Sequence, residues 1–252
     1  MARPAVLVTG GARRIGEAIV RRFAAEGWHV VIHSHSSRAQ ADVLASGLPS
    51  AEVVSCDLAD NPAALRMIDD LAERLEDWRV LVNSASVFRP DAATALDPAT
   101  FAEAMQVNAA APAAMAQAFL RLARSQGGRR VIDLTDQKLA NPNPDFFSYT
   151  ASKHALAATV PMMAMAADPA DRVYALAPGA ILASHDQSPA ETELSHRLNL
   201  LKRRTGVNEV ADAAWFLATG PLASGQTLFV DSGQHLLGQR RDVMFLAREE
   251  RG

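Results

Sequence analysis

Ala5-Val6-Leu7-Val8-Thr9-Gly10-Gly11-Ala12-Arg13-Arg14-Ile15-Gly16-Glu17-Ala18-Ile19-Val20 is the stretch that decides the fold. Its four apolar residues read as a short buried strand, and its glycines read as a turn. Ile15, Ile19, Val20 and Phe23 then keep the spacing of one helix face until Gly27 stops them. A strand, a glycine turn and a helix in so short a span aim a helix N-terminus at a phosphate. The alternation continues outward. Val30–Ile32, Glu52–Cys56, Val80–Val82, Arg130–Leu134, Val173–Leu176 and Thr227–Val230 read as further strands. Helices are predicted from Asn61-Pro62, from Asp97-Pro98 through Arg124, around Tyr149, and from a cap at Asn208 through Leu217. The pattern predicts an α/β fold: a doubly wound parallel sheet of about seven strands with helices on both faces, in a single domain spanning 1–252. Ligands of such sheets bind beyond the carboxyl ends of the strands, where Gly10, His35, Asp57, Asn83, Asp136 and Pro178 fall.

Composition narrows the function classes. Hydrophobic residues make up 49% of 252, enough for a sizeable core. A net charge of −3 argues against a nucleic-acid binder. Cys56 is the only cysteine, which excludes an internal disulfide and a cysteine-cluster metal site. No secretory pattern opens the chain, and the longest apolar stretch, Ala155 to Ala167, is interrupted by Pro161 and too short to span a bilayer. The expectation is a cytoplasmic protein without a membrane partner.

Tyr149 and Lys153 are four residues apart, on one face of a predicted helix. A neighbouring ammonium favours phenolate, so Lys153 is expected to lower the Tyr149 pKa. The chain holds only three lysines (Lys138, Lys153, Lys202), which makes chance placement less attractive. Thirteen residues before Tyr149 stands Asp136, preceded by Thr135. An ionised carboxylate only accepts hydrogen bonds and repels the negative charge that grows on a carbonyl oxygen under reduction. It suits a substrate with N–H donors and a ring nitrogen that gains positive character. The plainer alternative makes Asp136 a solvated loop residue. After the second strand come His33, Ser34, His35, Ser36, Ser37 and Arg38, with no acid to bind a bare adenosine ribose. His33 and His35 share a strand face, but neither a carboxylate nor a third histidine stands at ligand spacing, so no metal is expected.

Thr9-Gly-Gly-Ala-Arg-Arg-Ile-Gly16, Asn83-Ser-Ala-Ser86, Asn108, Tyr149-x-x-x-Lys153 and Pro178-Gly179 together resemble the short-chain dehydrogenase/reductase family over essentially the whole chain. The family's middle turn glycine is replaced by Arg14, and its catalytic serine by Asp136. These departures, the His33–Ser37 run, Phe88, Leu134-Thr-Asp136 and the closing Val230–Leu236 are similar to the pteridine reductases, including bacterial dihydromonapterin (dihydrofolate) reductases.

The resemblance implies a Rossmann-type domain that binds NADPH and reduces a dihydropterin at a ring C=N. It implies a catalytic set of Asn108, Asp136, Tyr149 and Lys153, with Tyr149 as proton donor, Lys153 on the nicotinamide ribose and Asn108 anchoring a water. Thr9, Gly10, Arg13, Arg14, Ile15, Gly16, His33, His35, Ser36, Ser37, Asp57, Leu58, Asn83, Ala85, Ser86, Tyr149, Lys153, Pro178 and Gly179 would hold the cofactor. Arg14, Ser86, Phe88, Asp136 and Tyr149 would meet the substrate, Phe88 by stacking. A flap at about 184–204, an Ala- and Met-rich helical dimer seam and a homotetramer are further expectations. His185, His196 and Tyr174 receive no role, and the tail 235–252 an unknown partner, another subunit among the candidates. Two alternatives stay open: reduction of another ketone or imine, and a non-catalytic NADPH-binding scaffold or sensor.

Overall fold

Successive residues of a strand face opposite sides of a sheet, and this chain supplies apolar side chains for both. The computed structural model describes residues 2–184 and 186–249; His185 and tail residues 250–252 lie outside the described residues. In β1 (Ala5–Val8), Val6 and Val8 pack into one buried layer, and Ala5 and Leu7 into the other. The same division holds for β2 (His29–Ser34), β4 (Trp78–Asn83), β5 (Arg130–Leu134) and β6 (Arg172–Pro178). With β3 (Ala51–Ser55) and β7 (Thr227–Val230) they form a seven-stranded parallel sheet in the order β3-β2-β1-β4-β5-β6-β7. The chain builds outward from β1 and then crosses back to place β4 beside it. That reversal opens a crevice at the carboxyl ends of β1 and β4.

Helices α1 (Arg14–Ala25), α2 (Arg38–Ser46) and α8 (Val207–Thr219) cover one face. There Phe23, Trp28 and Trp215 meet edge to face with centroids 5.2–5.7 Å apart. Helices α3 (Asn61–Arg74), α5 (Ala111–Leu122) and α6 (Phe147–Ala166) cover the other. Tyr174 is fully buried in β6, its hydroxyl donating to the Leu222 carbonyl at 2.5 Å. No described helix is long and apolar enough to cross a membrane.

Several boundaries differ from the expectation, each for a local reason. The helix predicted from Asp97 to Arg124 is two: α4 (Pro98–Met105) and α5, joined by a π-helical turn over Gln106–Ala110. Pro112 has no N–H for the Asn108 carbonyl, and Ala111 N donates instead to Gln106 O, five residues back. Asn208 is not a cap. Gly206 is, and the Glu209 carboxylate accepts from its N–H at 2.8 Å. The segment 184–204 contains α7 (Pro189–Ser195), closed by a capping box of Ser188 and Glu191. Helices α2 and α9 (Val243–Glu249) had no counterpart in the sequence reading.

The turn into α1 is as close as backbone allows. A Cβ on Gly16 would stand 2.3 Å from the Gly10 carbonyl oxygen, whereas one on Gly27 (φ +78°) would meet nothing within 4 Å. Gly16→Ala should therefore cost stability through overpacking of rigid backbone, about 1–3 kcal/mol, and also weaken nucleotide binding. Gly27→Ala should cost only the left-handed backbone penalty, about 1–2 kcal/mol, and leave binding intact. Thermal melts and cofactor titration of the two variants check the contrast.

Candidate active site

A cleft of ≈ 740 Å³ follows the carboxyl edge of the sheet from the β1–α1 turn to the start of α6. At one end Gly10 takes φ +64°, and a Cβ there would stand 3.0 Å from the Ala85 Cα. The turn is held against β4 by Thr9, whose hydroxyl oxygen accepts from Ser84 N at 2.9 Å and Ala85 N at 3.0 Å. Arg13, Arg14, Ile15 and Gly16 line the cleft. Arg14 has φ +57°, the left-handed backbone a glycine would adopt without strain, and its guanidinium donates to the Ala183 carbonyl at 3.1 Å. The glycine turn is thereby tied to the segment after β6.

Of the predicted cofactor residues, His35, Ser36, Ser37, Asp57, Leu58, Ala85, Ser86, Pro178 and Gly179 all line the cleft. A Cβ on Gly179 would collide with Asp231 at 2.7 Å, so the backbone there is open to a ligand on its free side only. His33 lines the cleft without being a cation for a phosphate. Burial pushes its pKa down to about 4. Its Nδ1 accepts from Gly10 N at 3.3 Å, and Nε2 faces the Cys56 carbonyl at 3.2 Å. A neutral ring with Nε2 protonated satisfies both contacts, and it braces the glycine turn. Arg38 turns away to Asp42 at 2.9 Å.

Thr9, Asn83 and Asn108 do not line the cleft. The Asn83 amide donates to the Asp133 carboxyl at 2.8 Å and to Pro112 O at 3.3 Å, inside the protein. Asn108, on the π turn, is fully buried. It donates to Val87 O (2.9 Å) and Ser152 Oγ (3.0 Å), and accepts from Val87 N (2.8 Å) and Ser86 Oγ (3.1 Å). Its side chain is fully spent on joining the loop after β4 to α6, so any water it anchors must use its main chain.

At the other end Tyr149 Oη donates to Asp136 Oδ2 at 2.8 Å. Asp136 Oδ1 accepts from Lys138 N at 2.8 Å, which starts a short 3-10 turn. The Thr135 hydroxyl is spent on Leu176 O. Asp136 is therefore a group bonded to Tyr149 and not a solvated loop residue. Burial raises the Asp136 pKa against the opposing pull of Lys138. Burial, then the Asp136 charge, holds Tyr149 well above the ordinary phenol value. This reverses the expectation that Lys153 lowers it. The Lys153 ammonium instead donates to Leu134 O at 2.7 Å and lies 5.6 Å from the Tyr149 ring centroid. Burial brings Lys153 down to about 8, with Asp136 and Asp133 pulling the other way. Asp133, fully buried on β5, is itself pushed up to about 7.

Phe88 is neither core nor free. It stacks on Phe146 with centroids 4.2 Å apart and meets Tyr149 edge to face at 4.7 Å, yet it is 40% exposed. The same end is lined by residues the sequence did not flag: Gln137, Lys138, His196, Asp242, Val243 and Met244. Lys138, one of three lysines, was the only one with a visible signal. The described part of the tail, 235–249, packs on its own chain. Asp242 pairs with the buried Lys138 at 2.7 Å, and Arg241 with Asp145 at 2.8 Å.

Comparison with known proteins agrees with this arrangement. The short-chain family model described as enoyl-(acyl carrier protein) reductase matches residues 10–235. A solved structure of FolM alternative dihydrofolate reductase 1 from Brucella canis, complexed with NADP, is 34% identical. It superposes with a TM-score of 0.87 over 96% of this chain and 97% of that one. A protein named as a ketoacyl reductase of the granaticin polyketide synthase from Streptomyces violaceoruber is 33% identical, over 93% of this chain and 97% of its own. Dihydromonapterin reductase of Escherichia coli O6:K15:H31 is 26% identical, over 92% and 96%. With the glycine turn, the sheet order and the Tyr149–Lys153 pair in place, the chain belongs to the short-chain dehydrogenase/reductase family.

Proposed function

We propose that this protein is an NADPH-dependent reductase that converts a dihydropterin to its tetrahydro form at a ring C=N bond. The observation that carries the reading is the hydrogen bond from Tyr149 to Asp136 set beside the exposed ring of Phe88. A ketone needs a group that stays a donor while alkoxide charge grows, and Asp136 fills that part only in its protonated form. A C=N bond gains positive character at nitrogen instead, and the pterin's N–H donors suit the lone pairs of Asp136.

The cleft fits a dinucleotide. The Gly10–Gly16 turn brings the start of α1 to the cleft, Ala85 and Gly179 keep the wall small, and Lys153 lines the crevice. His35, Ser36, Ser37 and Arg13 favour a 2′-phosphate, and Arg13 makes no ion pair among the described residues. Bound there, NADPH supplies the hydride. The protein's own residues handle the proton. Tyr149 gives its proton to the ring nitrogen, and a phenolate beside an ionised Asp136 is strongly disfavoured. Asp136 must therefore be protonated at that moment and pass its proton to Tyr149. Its burial and raised pKa provide for this. The exposed face of Phe88 offers the planar ring a stacking partner, about 0.5–1.5 kcal/mol beyond area burial.

The similarity to a ketoacyl reductase supports a second reading, reduction of a ketone. NADPH oxidation over a panel of dihydropterins and small ketones separates the two, and tight NADPH binding without any turnover would point to a scaffold. A homotetramer in the cytoplasm accords with the same resemblance and with the exposure of Met162 and Met165 on α6. Sedimentation checks the assembly.

Asp136→Ala should lower dihydropterin kcat/KM by about a hundredfold or more. Full turnover in that variant would remove the assigned role. The active form carries a proton on Asp136, so kcat should fall as pH rises through the elevated pKa of that group, and Asp136→Asn should lose this limb of the profile. Arg14→Gly should raise thermal stability, because it relieves left-handed strain of about 1–2 kcal/mol, while weakening ligand binding. A melt and a cofactor titration on the same preparation read both.

A further inference from the structure

The C-terminal segment Arg240–Glu249 is fastened to the substrate end of the cleft at points spread along its length. Lys138 and Asp242 form an ion pair of 2.7 Å with side chains 4% and 12% exposed. Asp145 receives both Arg241 Nε and Asp242 N at 2.8 Å. Phe245 stacks on Phe146, which also stacks on Phe88, with the Phe146–Phe245 centroids 5.9 Å apart and planes at 20°. Arg248 reaches Glu191 at 3.0 Å and Asp186 at 3.1 Å, and so grips α7.

A buried ion pair contributes little net stability, because desolvation offsets most of its attraction, but it does set where two segments meet. Here it joins two short backbone devices. Lys138 N donates to Asp136 Oδ1, and Met244 N donates to Asp242 Oδ1 at 3.0 Å. The chain of contacts runs from the carboxyl group that touches Tyr149, through Lys138 and Asp242, to Met244. Met244 is buried in one cluster with Phe146 and Tyr149 and lines the cleft. An unbranched thioether is a side chain suited to shaping a wall against a ligand.

We propose that Arg240–Glu249 is the specificity wall of the substrate pocket: Met244 closes the pocket beyond Phe88 and Tyr149, and Asp242 acts as a positioning residue for the wall and for the Asp136 turn. The inference rests on the dihydropterin reading for the identity of what the wall meets. Among the described residues the side-chain bonds of the wall to other segments go to Lys138, Asp145, Asp186 and Glu191 and none to the glycine turn, so its loss is expected to act on substrate and not on cofactor.

The test is steady-state kinetics of the full chain with two dihydropterins, one with a small and one with a bulky C6 substituent, together with NADP+ titration and a melt. Met244→Ala should raise KM for the small substrate by about tenfold, leave kcat and NADP+ affinity within about twofold, and reduce discrimination against the bulky one. Met244→Leu, which conserves volume, should restore the wild-type values. Asp242→Asn should shift KM in the same direction. Unchanged KM and unchanged discrimination in a folded Met244→Ala protein would overturn the proposal, as would a loss confined to kcat. If the wild type turns over ketones and no dihydropterin, the substrate reading fails while the wall is judged by the same shifts on the ketone. A wild type that turns over nothing removes both.

Discussion

The hydrogen bond between Tyr149 and Asp136 sets the terms for everything around it. A phenol that donates to a carboxyl group keeps its own proton tightly, so Tyr149 stands protonated and gives that proton up only if another replaces it. Placing that pair in a buried cleft raises both pKa values for the same reason: neither group can shed charge into water. The surroundings then have to hold Asp136 without neutralising it. Lys138 supplies a backbone N–H to one oxygen and a nearby ammonium, but the ammonium is committed to Asp242. The result is a carboxyl group that burial pushes toward its protonated form, not one locked as an anion by a salt bridge.

The same economy governs the rest of the buried charge. Lys153 would be costly to bury alone. It is bonded to a strand carbonyl and lies in the field of Asp136 and Asp133, which together keep its pKa from falling below about 8. Asp133 is in turn held by the Asn83 amide. These groups sit where β4, β5 and α6 converge, backed by residues that do not touch the cleft. Asn83 and Asn108 are such residues. The Asn83 amide ties the end of β4 to β5 and α5, the Asn108 amide ties the loop after β4 to α6, and the fold subordinates both to that task.

Much of this was legible in the chain. Runs such as Ala5–Val8 and Val30–Ile32 are apolar at every position because both faces of a parallel strand are covered, so strands and their order of appearance could be read directly. The spacing of Asp136, Tyr149 and Lys153 picked out residues that do meet in one cleft. What escaped depended on direction, which spacing does not encode. Lys153 is on the expected face of α6, yet its ammonium turns to Leu134 O and leaves the Tyr149 hydroxyl to Asp136. His33 reads as a donor for phosphate, but a strand residue one step from the end is buried and neutral. The tail offered only scattered charges, and their partners Asp145, Glu191 and Lys138 lie about 50–100 residues earlier, beyond the reach of local pattern.

Relatives of this chain at comparable identity carry names for both ketoacyl and dihydrofolate reduction. The scaffold serves either, because the glycine turn, the sheet order and Tyr149-x-x-x-Lys153 act on cofactor and proton alone. Discrimination must come from groups that see the substrate. Hydride delivery to a carbonyl needs a donor for the growing alkoxide, and the donor next to Tyr149 has been exchanged for Asp136, while the neighbouring Thr135 hydroxyl is spent on Leu176 O. A protonated Asp136 would still be a donor, so the carboxyl group alone does not decide. Phe88 does more. Its stacked pair with Phe146 presents an exposed aromatic face beside Tyr149, which a flat heterocycle can use and a flexible acyl chain cannot use as fully. On the proposed reading it is the combination, a proton-sharing carboxyl group beside an aromatic floor, that selects a flat heterocycle over a ketone.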